Sequence, residues 1–289
     1  MGYKYFICPD NQKCEISGCL QSCRMEKRCL SLPTLRAISQ QREWTGIPST
    51  TQLLKGTREA WLEIVKDDLA INPQDRIFAL FGTRAHKTLE QYGDNMLIEE
   101  RISDEISSGQ MDCYDPEDMI LYDYKFSGSY KVMQALGITM VDVPTGEVYK
   151  TGEKKGQPKT RKEAQLTGEP DMREWELQLN DYRIKLESQG FTVKEMIIEA
   201  GIRDGGLAVA KSRGLELKAY LIPVRRMPDE EVKAYFKTKA DALQSALATE
   251  VIPPPCTDEE CWERRKCKAY CTAWEYCDIG LMERGSGEE

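Results

Sequence analysis

Residues 109–125 read GQMDCYDPEDMILYDYK, and this stretch carries the pattern that decides the fold. Two β-rich runs, 109–114 and 119–124, are separated by an Asp-Pro turn, which predicts neighbouring antiparallel strands. A third short run of the same kind precedes them at 96–102. The sequence therefore predicts a three-stranded antiparallel meander in the middle of the chain.

Helical patterns surround this meander. Upstream, residues 59–69 and 77–92 have helical spacing, and Ser49 or Thr50 is suited to cap a helix. Downstream, the chain predicts three helices and two strands, in the order helix 129–136, helix 172–189, strands 192–200 and 215–224, and helix 228–250. This order predicts an α/β fold with a central mixed β-sheet flanked by helices, and not an alternating Rossmann pattern. Residues 147–170, rich in Lys, Gly, Thr and Glu, are expected to form an exposed loop.

The charges of the chain are unevenly distributed. The 289 residues suit one large domain with smaller attachments, and 40 basic against 48 acidic residues give a net charge of −8. Residues 94–123 alone carry −9, which leaves +1 for the rest, while 150–163 hold six basic residues against two acidic ones. A metal-dependent enzyme acting on a polyanion requires such neighbouring patches, although an ordinary solvated surface explains the charges equally well.

The N-terminal sequence MGYKYFICPD has neither the basic start nor the apolar stretch of a signal peptide. The uncharged run 132–141 is much shorter than a membrane span. We therefore expect a cytoplasmic protein that does not bind membranes. Disulfides are rare in that compartment, where clustered cysteines more often hold metal.

Ten of the eleven cysteines lie near the two ends of the chain. The first group is Cys8, Cys14, Cys19, Cys23 and Cys29, and the second is Cys256, Cys261, Cys267, Cys271 and Cys277. Cys113 alone lies between them and is expected to be a packing residue. Because the chain has one histidine, a soft-metal site here would be all-thiolate, which suits Zn²⁺ or an iron–sulfur cluster.

A candidate catalytic group lies on the meander. Strand periodicity places Asp123 and Lys125 on one face, and an antiparallel neighbour could bring Asp112 beside them. Paired carboxylates suit Mg²⁺ or Mn²⁺, and a nearby ammonium could stabilise developing negative charge. A lone D-x-K tripeptide usually belongs to an ordinary surface strand, so the pattern needs further motifs.

Two further motifs accompany it. Helical spacing puts Gln178 and Tyr182 on the same helix face, and His86 lies upstream on a predicted helix, where a single histidine is usually structural. With PSTTQLL at 48–54, GTRAHKTLE at 82–90 and DYK at 123–125, the chain resembles the PD-(D/E)xK nucleases of the RecB-like exonuclease branch. The resemblance covers residues 47–220 and implies a restriction-endonuclease-like core.

The resemblance also implies roles for individual residues. The catalytic set it implies is His86, Asp112, Asp123, Lys125, Gln178 and Tyr182. Within that set His86, Asp112 and Asp123 would bind Mg²⁺ or Mn²⁺, Lys125 would be the catalytic lysine, and Gln178 and Tyr182 would contact DNA or support the site. An acidic residue before the second strand often assists in this branch, and either Glu99 or Glu100 fits that position.

Iron–sulfur members of this branch include CRISPR-associated RecB-like exonucleases and AddB-type nuclease domains. They hold a 4Fe–4S cluster with one upstream cysteine and a C-terminal Cys-x2-Cys-x5-Cys. This chain departs from that pattern by one residue, with a Cys-x3-Cys-x5-Cys. The predicted cluster ligands are Cys29, Cys267, Cys271 and Cys277, with Zn²⁺ as the alternative. A second thiolate site would use Cys8, Cys14, Cys19 and Cys23, leaving Cys256 and Cys261 unassigned.

The predicted organisation is a Cys-rich segment 1–46, a nuclease core 47–250 and a Cys-rich segment 251–289 that completes a metal-cluster clasp. The predicted function is metal-dependent hydrolysis of DNA in recombination, repair or phage DNA processing, with an exonuclease on single-stranded or end-processed DNA favoured. A helicase, recombinase or integrase partner is compatible with it. The alternatives are an endonuclease of the same fold and a non-catalytic DNA-binding adaptor.

Overall fold

The computed structural model describes residues 2–41 and 43–285; the remaining residues of the predicted terminal segments, Met1, Arg42 and 286–289, lie outside them. The strands are β1 (Tyr3–Ile7), β2 (Lys13–Glu15), β3 (Leu69–Ile71), β4 (Leu97–Ile98), β5 (Arg101–Ser103), β6 (Ser108–Gln110), β7 (Cys113–Asp115), β8 (Ile120–Ser127), β9 (Ile138–Val148), β10 (Pro158–Leu166), β11 (Glu195–Ile202) and β12 (Ala219–Pro223). The helices are α1 (Ile16–Gln21), α2 (Leu32–Ile38), α3 (Thr50–Leu53), α4 (Thr57–Val65), α5 (Ile77–Leu89), α6 (Ser129–Ala135), α7 (Arg173–Ser188), α8 (Ala208–Ser212), α9 (Asp229–Thr249), α10 (Arg265–Ala269) and α11 (Asp278–Gly285). None of these helices combines the length and the hydrophobicity that crossing a membrane requires.

The central sheet has five strands in the order β12-β11-β8-β7-β4, with β8 in the middle. β8 runs antiparallel to β7 and parallel to β11, while β11 and β12 are antiparallel. The sheet is therefore mixed, as the sequence predicts. A parallel pair needs a long crossover, and the chain between β8 and β11 provides α6, a hairpin and α7.

The first two predicted strands of the meander are each divided. Residues 96–102 form β4 and β5, and residues 109–114 contribute to β6 and β7; β5 and β6 pair as a separate two-stranded sheet. The break coincides with Glu99, whose φ of 52° is left-handed and whose amide donates to the Asp112 carbonyl at 3.0 Å. A left-handed residue redirects the strand, so the two halves pair in different sheets.

Helix α7 packs against the central sheet to form the main hydrophobic core. Leu179 of α7, Leu121 of β8 and Ile198 of β11 are fully buried within it. Burial of each such side chain contributes roughly 1.5–3 kcal/mol relative to exposure. This packing fixes the distance between α7 and the middle of β8, where the predicted catalytic residues lie.

Both termini pack onto the protein. β1 runs parallel to β3, with Phe6 opposite Ile71, so a sheet crosses the domain boundary predicted at residue 46. The N-terminal segment contains the strands β1 and β2 as well as the helices α1 and α2. At the other end, Ala273 packs with Leu62 of α4 and Phe236 of α9 in a second hydrophobic cluster.

The expectation of a loop over 147–170 is wrong for 158–166, which form β10, and holds for 149–157 and 167–170. β10 pairs antiparallel with β9 over most of its length, leaving only the tip of a long hairpin without strand structure. Both strands are largely exposed, so their side chains need no alternation of apolar and polar residues. β-branched residues such as Val141 and Val143, and the backbone hydrogen bonds, sustain the hairpin where hydrophobic periodicity gives no signal.

A buried polar network attaches α7 to the elements in front of it. The Lys185 ammonium forms an ion pair with Asp181 and donates to Ser107 Oγ at 2.8 Å. Asp181 also accepts a hydrogen bond from Thr50 Oγ1 at 2.6 Å, and burial raises its pKa. Because Thr50 begins α3 and Ser107 precedes β6, this network connects three parts of the chain.

We expect Asp181→Ala to lower the free energy of unfolding by about 3 kcal/mol, because it leaves the buried Lys185 ammonium with only the longer ion pair to the partly exposed Asp104, at 3.5 Å. Urea denaturation measures this change. Replacing both residues, as Asp181→Leu with Lys185→Met, should cost less than the single substitution. The exposed pair Lys237–Asp241 provides the control, since Asp241→Ala should leave stability almost unchanged. Equal effects of Asp181→Ala and Asp241→Ala would contradict the account.

Candidate active site

Asp123 and Lys125 lie in the middle of the central strand β8. The Asp123 side chain is 1% exposed, and Lys125 Nζ lies 2.6 Å from its Oδ2 atom. Within the described residues Oδ2 has no hydrogen-bond partner, so the ammonium contacts it as an ion pair only. The two residues share one side of the strand, as the period of two predicts.

Gln178 of α7 connects both of these side chains. Its Oε1 atom accepts a hydrogen bond from Lys125 Nζ at 3.0 Å, and its Nε2 donates to Asp123 Oδ1 at 3.2 Å. The same Nε2 donates to the Tyr182 hydroxyl at 3.2 Å, one helical turn later. A Cβ atom at Gly109 would lie only 2.3 Å from the Tyr182 ring, so glycine leaves room for the tyrosine.

His86, Glu99 and Asp112 form a second group next to the first. His86 Nδ1 lies 3.1 Å from Glu99 Oε1 and 3.4 Å from Asp112 Oδ1. All three offer ligand atoms within 4.8 Å of one another. Asp112 is held in place because its Oδ2 accepts the Tyr124 amide at 2.7 Å. The arrangement brings one imidazole and two carboxylates to a single point.

Electrostatics connect the two groups. Hydrogen bonding to Asp112 raises the pKa of His86 to about 9, against the opposing effect of burial. Burial raises the pKa of Asp123 to about 6, and the negative charge of Asp112 adds to this despite Lys125 beside it. The site thus concentrates more negative charge than its own cations neutralise. A bound divalent cation would favour the ionised carboxylates and displace the proton from His86.

These residues line one open cavity of about 860 Å³. Five of the six residues of the predicted catalytic set line it, and so does Glu99; the sixth, Asp123, is buried. Lys125 is partly exposed in it, whereas Asp123 lies behind the wall. A molecule entering the cavity therefore meets His86, Glu99, Asp112 and Lys125 first.

The structure distinguishes Glu99 from Glu100. Glu99 faces His86, while Glu100 lies beside it in the same cavity and is not part of the three-residue group. Strand alternation could not choose between them, because the left-handed backbone at Glu99 interrupts the period of two. Of the sequence-based ligand set, the structure brings His86 and Asp112 together with Glu99, while Asp123 lies outside this three-residue group.

The N-terminal cysteines gather around Cys19. Cys19 is buried, and Cys8, Cys14, Cys23 and Cys29 lie close enough to act on it electrostatically. Burial raises the pKa of Cys19 to about 11. The cause of the grouping is local, since the β1–β2 hairpin and α1 form within these residues.

The C-terminal cysteines form a separate group. Cys256, Cys267, Cys271 and Cys277 line a small cavity beside α4, and Arg58 Nη1 lies 3.8 Å from Cys277 Sγ. The predicted grouping of Cys29 with the last three is corrected here. Cys29 packs in the N-terminal cluster with Phe6 and Leu35, because α2 and β1 enclose it there. Cys256 takes the fourth position in the cavity.

A comparison with protein-family models finds no match, and no curated protein matches the chain. Among solved structures, the chain is similar to the crystal structure of SSO0001. The two are 15% identical with a TM-score of 0.43, over 86% of this chain and 93% of that chain.

We expect the protein to bind Mn²⁺ through His86, Glu99 and Asp112, so Glu99→Gln should weaken Mn²⁺ affinity about tenfold or more by removing a charged ligand. Titration calorimetry against Mn²⁺ measures this. Glu100→Gln is the matched control, because it removes the same charge from the same cavity without removing a ligand. If Glu100→Gln weakens binding as much as Glu99→Gln, the ligand set is wrong.

Proposed function

We propose that this protein is a Mg²⁺- or Mn²⁺-dependent DNA nuclease with a PD-(D/E)xK site on a restriction-endonuclease-like core. The observation that carries the proposal is the meeting of two groups in one open cavity. His86, Glu99 and Asp112 offer hard ligands, and Lys125 adds a fixed cation beside them. An isolated D-x-K tripeptide would have no reason to lie next to such a group.

The arrangement of the central sheet also supports this class. Asp112 directly precedes β7, Asp123 lies on the antiparallel neighbour β8, and the parallel strand β11 follows after α7. Helix α7 brings Gln178 and Tyr182 to the same place. The segments that resemble RecB-like nucleases therefore meet in space, although they are far apart in sequence.

The donor set suits a hard divalent cation. Carboxylate oxygens and one imidazole are the ligands that Mn²⁺ and Mg²⁺ accept, whereas a thiol-free group such as this does not favour soft metals. The buried Asp123 Oδ2, which has no hydrogen-bond partner among the described residues, is a further donor next to this group. When bound, the cation would supply Lewis acidity and a bound water of lowered pKa.

Lys125 and Gln178 provide the remaining chemistry. Asp123 and Gln178 hold the Lys125 ammonium from two sides, so its position does not depend on substrate. A preorganised cation at the cavity wall stabilises negative charge that develops on a phosphodiester during hydrolysis. Gln178 orients this ammonium and Tyr182 in turn holds Gln178, which makes them positioning residues.

DNA is the proposed substrate because cations line the cavity around the acidic centre. Lys87, Arg101 and Arg203 contribute to its wall, and a DNA backbone would gain affinity by contact with such cations. We favour exonuclease activity on single-stranded or end-processed DNA, in recombination, repair or phage DNA processing. A helicase, recombinase or integrase would supply such ends as a partner.

We expect purified protein to cleave DNA with Mg²⁺ or Mn²⁺, and Lys125→Met to reduce the cleavage rate at least about 100-fold by removing the preorganised charge. Asp123→Asn should have a similar effect. Lys159→Met, on the exposed hairpin, is the control for loss of one positive charge. Cleavage rates on labelled oligonucleotides, with circular dichroism to verify folding, measure the outcome. Wild-type rates in both site variants would overturn the assignment.

The products separate the alternatives. Shortening from DNA ends indicates an exonuclease, and discrete internal fragments indicate an endonuclease of the same fold. Metal-independent DNA binding without cleavage of any substrate form would favour a non-catalytic adaptor.

We also propose that the C-terminal cysteines hold a 4Fe–4S cluster. Four thiols line one cavity, and Gly56 permits the closest approach, because a Cβ there would lie 2.3 Å from Cys256 Sγ. Among the described residues no three cysteine sulfurs lie within 4.8 Å of one another. Four sulfurs around a single Zn²⁺ would be about 3.8 Å apart, from tetrahedral geometry and a Zn–S distance of about 2.3 Å. Zn²⁺ remains the alternative ion.

The N-terminal group is proposed as a second thiolate site, with Zn²⁺ or an iron–sulfur cluster as its occupant. Its candidate ligands are Cys8, Cys14, Cys19 and Cys23, with Cys29 as a fifth neighbour of Cys19. Ligands from β1, β2 and α1 would fasten this small region, whose own hydrophobic cluster is limited to a few residues. Metal binding would then contribute folding free energy to it.

We expect anaerobically purified protein to show a broad iron–sulfur absorbance, and Cys271→Ala to remove it by taking one ligand away. Cys113→Ala is the matched control, since Cys113 is buried on β7, outside both cysteine groups. Metal analysis of Cys29→Ala distinguishes a cluster whose fourth ligand is Cys256 from one whose fourth ligand is Cys29. With Cys256 as the ligand, the variant should keep its full iron content. Loss of iron in Cys29→Ala would restore the pairing of both termini in one cluster.

A further inference from the structure

The cavity that contains His86 has a second end of different character. Phe78 and Phe126 line it there, 52% and 43% exposed. The Arg203 guanidinium lies 4.3 Å from the centroid of the Phe78 ring and lines the same cavity. Phe78 also meets the exposed Phe81 edge to face, with ring centroids 6.5 Å apart, so a cluster of exposed aromatic rings lies beside this cation.

Helix α5 connects the two ends. Phe78, Gly82, His86 and Glu90 follow one another at four-residue intervals, and all four line the cavity. Phe78 and His86 are about 12 Å apart along the helix axis, from a rise of 1.5 Å per residue. Between them Gly82 has no side chain, and a Cβ there would meet nothing within 4 Å. An open path therefore runs from the acidic end to the aromatic end.

Phe126 has a defined position on the other wall of this path. It lies on β8, and Gly201 pairs with it on β11. A Cβ atom at Gly201 would lie 2.9 Å from the Phe126 ring, so the ring rests directly against the glycine backbone. This packing holds one face of the ring and leaves much of the remainder exposed to the cavity.

We propose that Phe78, Phe126 and Arg203 form a stacking platform for the bases of single-stranded DNA. The inference rests on the proposed nuclease function, with the phosphate to be hydrolysed at the His86–Glu99–Asp112 group. Unpaired bases stack on aromatic rings regardless of sequence, and arginine contributes both cation–π contact and phosphate attraction. The platform would hold the nucleotides next to the cleaved bond.

The occupant follows from the charges along α5. The acidic side chain Glu90 comes after His86, while the aromatic Phe78 comes before it, next to Arg203. A polyanion with flat apolar bases matches the aromatic end beside Arg203 and not the acidic end beside Glu90. In a duplex the bases are already stacked on each other, so the platform would select a single strand over a duplex of equal length.

Binding of short fluorescent oligodeoxynucleotides in the presence of a chelator, measured by anisotropy, tests this proposal without cleavage. Wild type should bind a single strand more tightly than the matching duplex. Phe78→Ala should weaken single-strand binding about tenfold, which corresponds to roughly 1.4 kcal/mol, and Phe78→Trp should restore it. Replacing the bases with abasic positions should weaken single-strand binding by wild type more than binding by Phe78→Ala, in which only Phe126 remains as an aromatic ring of the platform.

Tyr92→Ala is the matched control, because Tyr92 is a more exposed aromatic residue that does not line the cavity. It should bind as wild type does. Wild-type affinity in Phe78→Ala, equal binding of base-containing and abasic strands, or no binding at all would overturn the platform. If the protein gives one of these three binding results and still cleaves DNA, the platform is wrong and the nuclease proposal stands. Base-dependent binding without cleavage in Mg²⁺ or Mn²⁺ keeps the platform and overturns the nuclease proposal.

Discussion

A buried carboxylate on the central strand constrains the rest of the structure. Asp123 lies on the middle strand β8 beneath Gln178 of α7, and its side chain is 1% exposed. An isolated charge in such a place is strongly unfavourable unless other groups compensate for it. Lys125 and Gln178 provide this compensation, and Gln178 can do so only if α7 packs tightly on the sheet.

Helix α7 meets this requirement with an unusual distribution of residues. Its apolar side, with Leu179 and Leu186, enters the core, while its polar residues are buried as well. Arg183, which is fully buried, bonds to Glu187, Asp229 and the Met227 carbonyl on the far side of the helix. Almost every polar group on α7 is therefore paired within the protein, and the helix is held in one orientation. That rigidity transfers to the site, because Gln178 and Tyr182 move only with the helix.

The two cysteine-rich ends lie against the same part of the protein, but they form different groups. The N-terminal hairpin reaches the C-terminal segment through the Lys13–Glu275 ion pair, and β1 joins β3 from the chain beyond residue 46. The C-terminal segment is fixed by Lys266, which pairs with Glu59 of α4 at 2.6 Å. Contacts of this kind attach both ends to the core.

Much of this arrangement follows from the sequence alone. The two-residue period of a strand puts Asp123 and Lys125 on one face, and the spacing of a helix does the same for Gln178 and Tyr182. Ser49 caps α3 with a capping box. The sequence predicts these relations because each of them is local along the chain. Tertiary structure alone decided that Glu99 and not Glu100 faces His86, because the left-handed backbone at Glu99 breaks the alternation of side chains along the strand. It also decided that Cys256 and not Cys29 joins the last three cysteines, and that residues 158–166 pair with β9. Those outcomes depend on packing and backbone pairing between distant segments, which spacing along the chain does not encode.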